Sequence, residues 1–260
     1  MTTRSLLLLA FALLAGSGPA RSASDAGAFD RTHAAYTALL RRYVSDGLVD
    51  YASLKQRDGD LEAYLTSLRA VSRDELMAWP EADRIAFWIN AYNAFTMRLV
   101  LDHYPLKSIR SIGLLPLSAF RTEFIRLPAA GPGDVSLDHL EHRILRGQFH
   151  EPRVHFALVC ASRGCPQLRR EAYRGADLDR QLAEATRAFL ADRERNRFDP
   201  ATRTLHLSAI FKWFGEDFER SSGSVLAFVA SYAPAEVAKG LATGVVNVEY
   251  EPYDWSLNAR

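Results

Sequence analysis

The sequence predicts an α+β fold: a helix-rich single domain with a small antiparallel sheet. Three observations predict it. The segment Glu81 to His103 is apolar on nearly every side of a helix, the pattern of a buried one. Other segments of helical period lie on both sides of it. Short alternating or β-branched runs cluster in the second half, so helices and strands are segregated along the chain.

The chain opens "MTTRSLLLLAFALLAGSGPARSA". One Arg precedes an apolar run, Leu6 to Ala15, and small residues follow, the layout of a secretory signal peptide. The run is well short of the ~20 residues that span a bilayer. Residues 1–23 are therefore read as a cleaved signal, leaving an exported, periplasmic or secreted, protein with no stable membrane anchor. The 260-residue chain holds 32 Lys and Arg against 31 Asp and Glu, and the signal segment removes Arg4 and Arg21. What remains has no basic excess, which argues against a nucleic-acid partner. Residues 24–79 form an N-terminal helical region and 80–260 the main core. No internal repeat or low-complexity segment is present.

Phe29 to Val44 reads as a helix with Ala34, Leu39, Leu40 and Tyr43 near one face. Tyr51 to Leu68 is a second helical region, broken near "RDGD". Leu76 to Trp79 stops at Pro80, and Glu81 to His103 is closed by Tyr104-Pro105. Inside that helix Asn90 and Asn93 share an edge. Buried amides must find partners, so the pair either ties loops to the helix or lines a site.

"EFIRLP" (123–128) alternates as a strand does, and "AAGPGD" (129–134) is a loop. Ser136 caps a helix over Val135 to Arg146, with Val135 and Leu140 as its hydrophobic staple. "RVHFALVC" (153–160) reads as a buried strand. Leu178 to Asp192 is a helix, and "RFDPATRTLHLS" is a hairpin turning near Asp199 to Arg203. Ser208 caps "AIFKWFGEDF", Ser224 to Tyr232 is helical, and Val245 to Tyr250 is a strand before an aromatic tail.

The candidate chemistry centres on the two cysteines, Cys160 and Cys165. Ser162, Arg163 and Gly164 between them are turn-compatible, and Gly164 can take positive φ, so a disulfide clip is feasible. The other reading is a reactive thiol, which needs a base or a positive environment. Strand parity puts His155 on the face opposite Cys160. His142 is the better base, because Asp138 lies four residues before it on the same helix and can orient its ring. Glu141 is a second candidate acid. The same Asp138–His142 pair would also suit a solvated surface. His139 and His142 are helical neighbours, but no CxxC or HExxH accompanies them and no metal is expected. Nucleotide-binding loops and a GxSxG elbow are absent, and no cofactor is expected.

Five stretches, "FWINAYNAFTMRLVLDHYPLKSIRSIG", "SLDHLEHRILR", "VHFALVCASRGCPQLRREAY", "LSAIFKWFGEDF" and "YDWSLN", resemble in order the blocks of the domain of unknown function 547. The resemblance runs from about residue 80 to the end. Its matching positions are Asn90, Tyr92, Asn93, Glu141, His142, His155, Cys160, Cys165, Trp213, Asp254 and Trp255. Members are sometimes joined to glutaredoxin domains, which hints at thiol chemistry. A helix leading into a His-bearing strand is also similar to the papain and transglutaminase core. There the helix start carries the nucleophilic Cys, whereas Asn90 stands in the corresponding helix here.

The expected function is a thiol-dependent hydrolase or acyl transferase on a peptide or amide. Cys160 or Cys165, His142, Asp138, Glu141 and His155 would be its catalytic candidates, and Asn90, Tyr92 and Asn93 would bind the small-molecule or peptide ligand. Two alternatives stay open. One is a non-enzymatic exported binding domain with a structural Cys160–Cys165 disulfide. The other is a thiol–disulfide oxidoreductase, whose usual CxxC is lacking.

Overall fold

Helix α5 (Glu81–His103) is the spine of the computed structural model, which describes residues 28–115 and 117–260. The expected signal segment lies outside the described residues. Every α5 side chain from Ile85 to Leu101 is buried except Arg98. That exception is satisfied by Asp58 at 2.8 Å and Asp102 at 2.7 Å.

Four helices precede the spine: α1 (Ala34–Tyr43), α2 (Tyr51–Gln56), α3 (Gly59–Ala70) and α4 (Arg73–Met77). A two-strand turn, β1 (Val44–Ser45) with β2 (Leu48–Val49), follows α1. Tyr36, Leu39, Leu40 and Tyr43 are the buried face of α1. Ala34 is exposed, unlike the expectation, because the helix begins only at that residue and its first turn faces water. The break between α2 and α3 falls at Arg57-Asp58. These helices share one apolar cluster with α5, so the N-terminal region is part of the same core.

After α5 come α6 (Ser118–Arg121) and the pair β3 (Ile125–Arg126) with β4 (Asp134–Val135). The expected strand over 123–128 is thus only two paired residues long. Ser136 does cap the next helix, its Oγ accepting from the His139 amide at 3.1 Å. That helix is a π-turn over His139–Leu145, running into α7 (Arg146–Gln148).

The expected strand over Arg153 to Cys160 is a 3-10 turn, Pro152–Phe156, followed by residues that belong to no strand. The run is buried as expected. Among the described residues no neighbouring strand pairs with it, and Pro152 starts the turn at its first position. With the strand, the parity argument separating His155 from Cys160 also falls.

Helix α8 (Leu178–Ala191) leads to a three-stranded sheet. Strand β5 (Arg197–Asp199) pairs antiparallel with β6 (Thr204–Ser208), the expected hairpin. Strand β7 (Asn247–Glu251) lies parallel to β6. The crossover between them holds α9 (Ala209–Trp213), α10 (Gly215–Ser222), α11 (Val225–Tyr232) and α12 (Ala235–Ala242). Ser208 caps α9 as expected, and Ser224, expected inside a helix, caps α11. A second apolar cluster, built on Phe156, Phe189, Phe211, Phe218 and Phe228, fills the space beneath this layer.

Candidate active site at the seam of two cores

A cavity of about 470 Å³ opens where the two apolar clusters meet. Tyr92 from the α5 core and Ile210 from the phenylalanine cluster both face it. All six catalytic candidates line it: Asp138, Glu141, His142, His155, Cys160 and Cys165.

The π-turn delivers Glu141 and His142, and Asp138 is the residue at its N-cap. Widening the helix by one residue per turn, with Arg146 N–H bonding to Glu141 C=O, is a feature common at functional sites. Glu141 and Tyr92 both line the cavity and act on each other electrostatically. Burial pushes the Glu141 carboxyl up to about 7, helped by the Cys160 charge and opposed by Arg146 and Tyr92. The residue is half-buried and lines the cavity. Burial against Glu141 likewise holds Tyr92 well above the usual phenol range.

His142 has both ring nitrogens engaged. Arg146 donates to Nδ1 at 2.7 Å, and Nε2 faces Asp138 Oδ1 at 3.6 Å. Burial lowers its pKa, Asp138 acts the other way, and Arg146 lowers it further. The ring is therefore a neutral one with Nε2–H toward Asp138. No lone pair is left for a base in this arrangement, so the expected Asp138–His142 base half is present as a contact but already spent on Arg146.

Sequence reasoning missed the stronger carboxylate–imidazole pair. His155 Nε2 lies 2.8 Å from Asp217 Oδ2, and Arg146 grips the same carboxylate through Nε at 2.6 Å and NH2 at 3.2 Å. Burial opposes the Asp217 charge, but the His155 and Arg146 hydrogen bonds outweigh it and hold the carboxyl far below its ordinary range. The His155 ring stacks on Phe214 at 3.9 Å, and burial lowers its pKa despite Asp217. One signal pointed to Asp217: an acid on the same short helix as buried Phe218.

The cysteine loop is held from the C-terminal end. Arg163 N–H donates to Ser256 O and Gly164 N–H to Asp254 O, both at 2.8 Å, and Asn258 N–H donates to Ala161 O at 3.0 Å. Gly164 is needed for closeness, since a Cβ there would meet the Tyr253 ring at 2.9 Å and Asp254 backbone at 3.0 Å. The left-handed residue of the turn is Ala161, φ 59°, and not Gly164 as expected. A buried alanine in that conformation, next to Cys160, is the kind of strain that concentrates at active sites.

Both thiols are free. Both line the cavity, Cys160 half-buried and Cys165 buried. The Tyr253 hydroxyl touches both sulfurs, at 3.3 Å and 3.2 Å. The Cys165 thiol lowers the Cys160 pKa to about 7 against the cost of burial, with Tyr253 and Ser162 adding to it. The buried Ser162 hydroxyl has no hydrogen-bond partner among the described residues. Burial and the adjacent Cys160 push the Cys165 thiol well up. One sulfur is thus set to ionise first.

Of the three expected substrate contacts, only Tyr92 reaches the cavity. Asn90 exchanges two hydrogen bonds with the Tyr173 backbone, at 2.8 and 3.0 Å. Asn93 donates to Ala157 O and accepts from Val159 N–H, both at 2.9 Å. Their amides are fully used as struts. The cavity mouth is aromatic instead: Trp213, Tyr253 and Trp255 pack with centroids 4.7–5.8 Å apart. Asp254, also a matching position, caps its own turn by accepting from Ser256 N–H.

A family model described as "Protein of unknown function, DUF547" matches residues 76–190. The chain is similar to that family over this segment. The DUF547 segment carries Tyr92, Glu141, His142, His155 and both cysteines. Asp217, Trp213, Tyr253 and Trp255 lie beyond it, so the cavity is completed by chain outside the matched range. No curated protein and no solved structure matches the chain. Among the described residues no group of three or more His, Cys, Asp or Glu could hold a metal ion. None of the described helices is long and apolar enough to cross a membrane.

Proposed function

We propose that this is an exported thiol-dependent hydrolase or acyl transferase acting on a peptide or amide, with Cys160 as nucleophile. The supporting observation is the Cys160 sulfur: it faces the cavity with the Tyr253 hydroxyl 3.3 Å away, and the adjacent Cys165, Tyr253 and Ser162 favour its thiolate. Export rests on the layout of residues 1–23.

In this reading Glu141 moves the proton, in place of His142. A carboxyl that titrates near neutrality suits both donation and acceptance. The thiolate attacks the carbonyl carbon, and the C–N bond breaks as the Glu141 carboxylic acid protonates the leaving nitrogen. An acyl-thioester on Cys160 results. The Glu141 carboxylate then takes a proton from water or from an acceptor nucleophile, whose attack releases the acyl group and restores the thiolate. His155, oriented by Asp217, and the half-exposed Trp213 shape the wall against which the substrate lies.

The test is covalent capture. The protein is mixed with p-nitrophenyl acetate, quenched in acid and weighed intact. One acetyl group on the native chain and none on Cys160→Ser is the expected result. Equal labelling of both proteins, or none on either, rejects the reading.

A further inference from the structure

We infer that Cys160 and Cys165 form a hydroperoxide-oxidised dithiol couple, Cys160 being the oxidation site and Cys165 the resolving thiol.

The geometry carries this. A turn closed by Cys165 N–H on Ser162 O, at 3.1 Å, folds the four residues between the cysteines back on themselves. The Cys165 sulfur then lies 3.0 Å from the Cys160 amide nitrogen, and one phenol oxygen touches both sulfurs. The pair is unequal. Both cysteines line the cavity, which admits a small uncharged oxidant, but Cys160 is half-buried and Cys165 buried. A reactive thiol in front of a sheltered partner is the arrangement that resolves a sulfenic acid before it oxidises further.

The Cys160 thiolate attacks one oxygen of the hydroperoxide and the O–O bond breaks. Cys160 becomes a sulfenic acid, and the remaining oxygen leaves as an alcohol or water after taking a proton. The Cys165 sulfur attacks the Cys160 sulfur next. The S–O bond breaks, water departs with the Cys165 proton, and a disulfide forms. Two electrons pass from the two thiols to the peroxide, and an external dithiol reverses the change. The inference shares Cys160 with the proposed acyl transfer but needs no turnover. In the oxidised form the nucleophile is blocked.

The reduced full chain is treated with hydrogen peroxide, alkylated and weighed intact. The expected result is a loss of two hydrogens, no alkylation, and recovery of both thiols with dithiothreitol. Cys165→Ser should instead hold a sulfenic acid trapped by dimedone on residue 160. Native protein that gains oxygen at Cys160 while Cys165 still alkylates would overturn the inference. So would native protein whose mass does not change with peroxide. These readings on the native chain stand even if the variant fails to fold.

Discussion

The hydroxyl of Tyr253 lies 3.3 Å from the sulfur of Cys160, although 93 residues separate them in sequence. The contact exists because the last strand-like stretch of the chain docks against the cysteine turn, Ser162 pairing with Leu257. It joins a thiol inside the DUF547 segment to a phenol outside it.

Tyr253→Phe removes that hydrogen bond while keeping the ring. The Cys160 thiolate loses one donor, and its pKa should rise by roughly one unit, the size expected for one hydrogen bond to a charged group. Alkylation near pH 7 should then slow by up to about tenfold. A pH series of iodoacetamide rates measures this. An unchanged midpoint would mean that Tyr253 is only packing.

Glu141→Gln should affect stability and activity differently. The folded carboxyl titrates at about 7, above its ordinary 4.5, so the folded chain holds this proton more tightly. Its contribution is therefore lost as pH rises from about 4.5 through 7. The variant should be more stable than native protein at pH 8, by on the order of 1–3 kcal/mol, and no more stable at pH 4. Urea melts at the two pH values test the sign. Acyl transfer should meanwhile fall by about 10²-fold or more.

The acid and the nucleophile titrate in the same range and influence each other. The productive form carries one proton between them, on Glu141. The rate should therefore follow a bell around neutral pH, with two apparent values that belong to the pair. A rate that climbs steadily to pH 9 would remove Glu141 as the acid.

Asp217→Ala leaves the buried His155 without its partner and strips Arg146 of both carboxylate contacts. A loss of about 3–5 kcal/mol is expected, the usual cost of orphaning one side of a buried pair. Chemical unfolding at pH 7 measures it.

Asn93→Ala orphans the Ala157 carbonyl and the Val159 amide in the core. Each unsatisfied group costs about 1–3 kcal/mol, so a total of roughly 2–5 kcal/mol is expected. The melting temperature should fall while ligand contacts in the cavity are untouched. Activity normalised to folded protein should therefore stay close to native.

His33 supplies an acid-side counterpart remote from the site. Burial beside Tyr64 lowers its pKa to about 4, with Asp30 opposing. A depressed value gives stability above the unfolded 6.5 that is lost as pH falls toward 4. Replacing His33 with Gln should flatten that acid limb, which melts between pH 7 and 4 would show.

Much of this protein was legible in its sequence. The apolar run of α5, the Ser136 and Ser208 caps and the β5–β6 hairpin are local patterns, and local patterns are written in consecutive residues. The cysteine turn and the polar residues around it were legible too, because polar groups inside apolar runs must have a reason. What the sequence alone could not decide was pairing across distance. The Arg153–Cys160 run has strand composition, yet among the described residues no neighbouring strand pairs with it, and it folds as a 3-10 turn followed by residues that belong to no strand. That change brought His155 to the cavity. Asn93 could have faced ligand or backbone, and the Ala157 and Val159 backbone groups claimed it. Asp217 took His155, Arg146 took both Asp217 and His142, and Tyr253 reached the sulfurs. Hydrogen-bond partners far apart in the chain are set by how the layers pack, so only the tertiary structure could choose them.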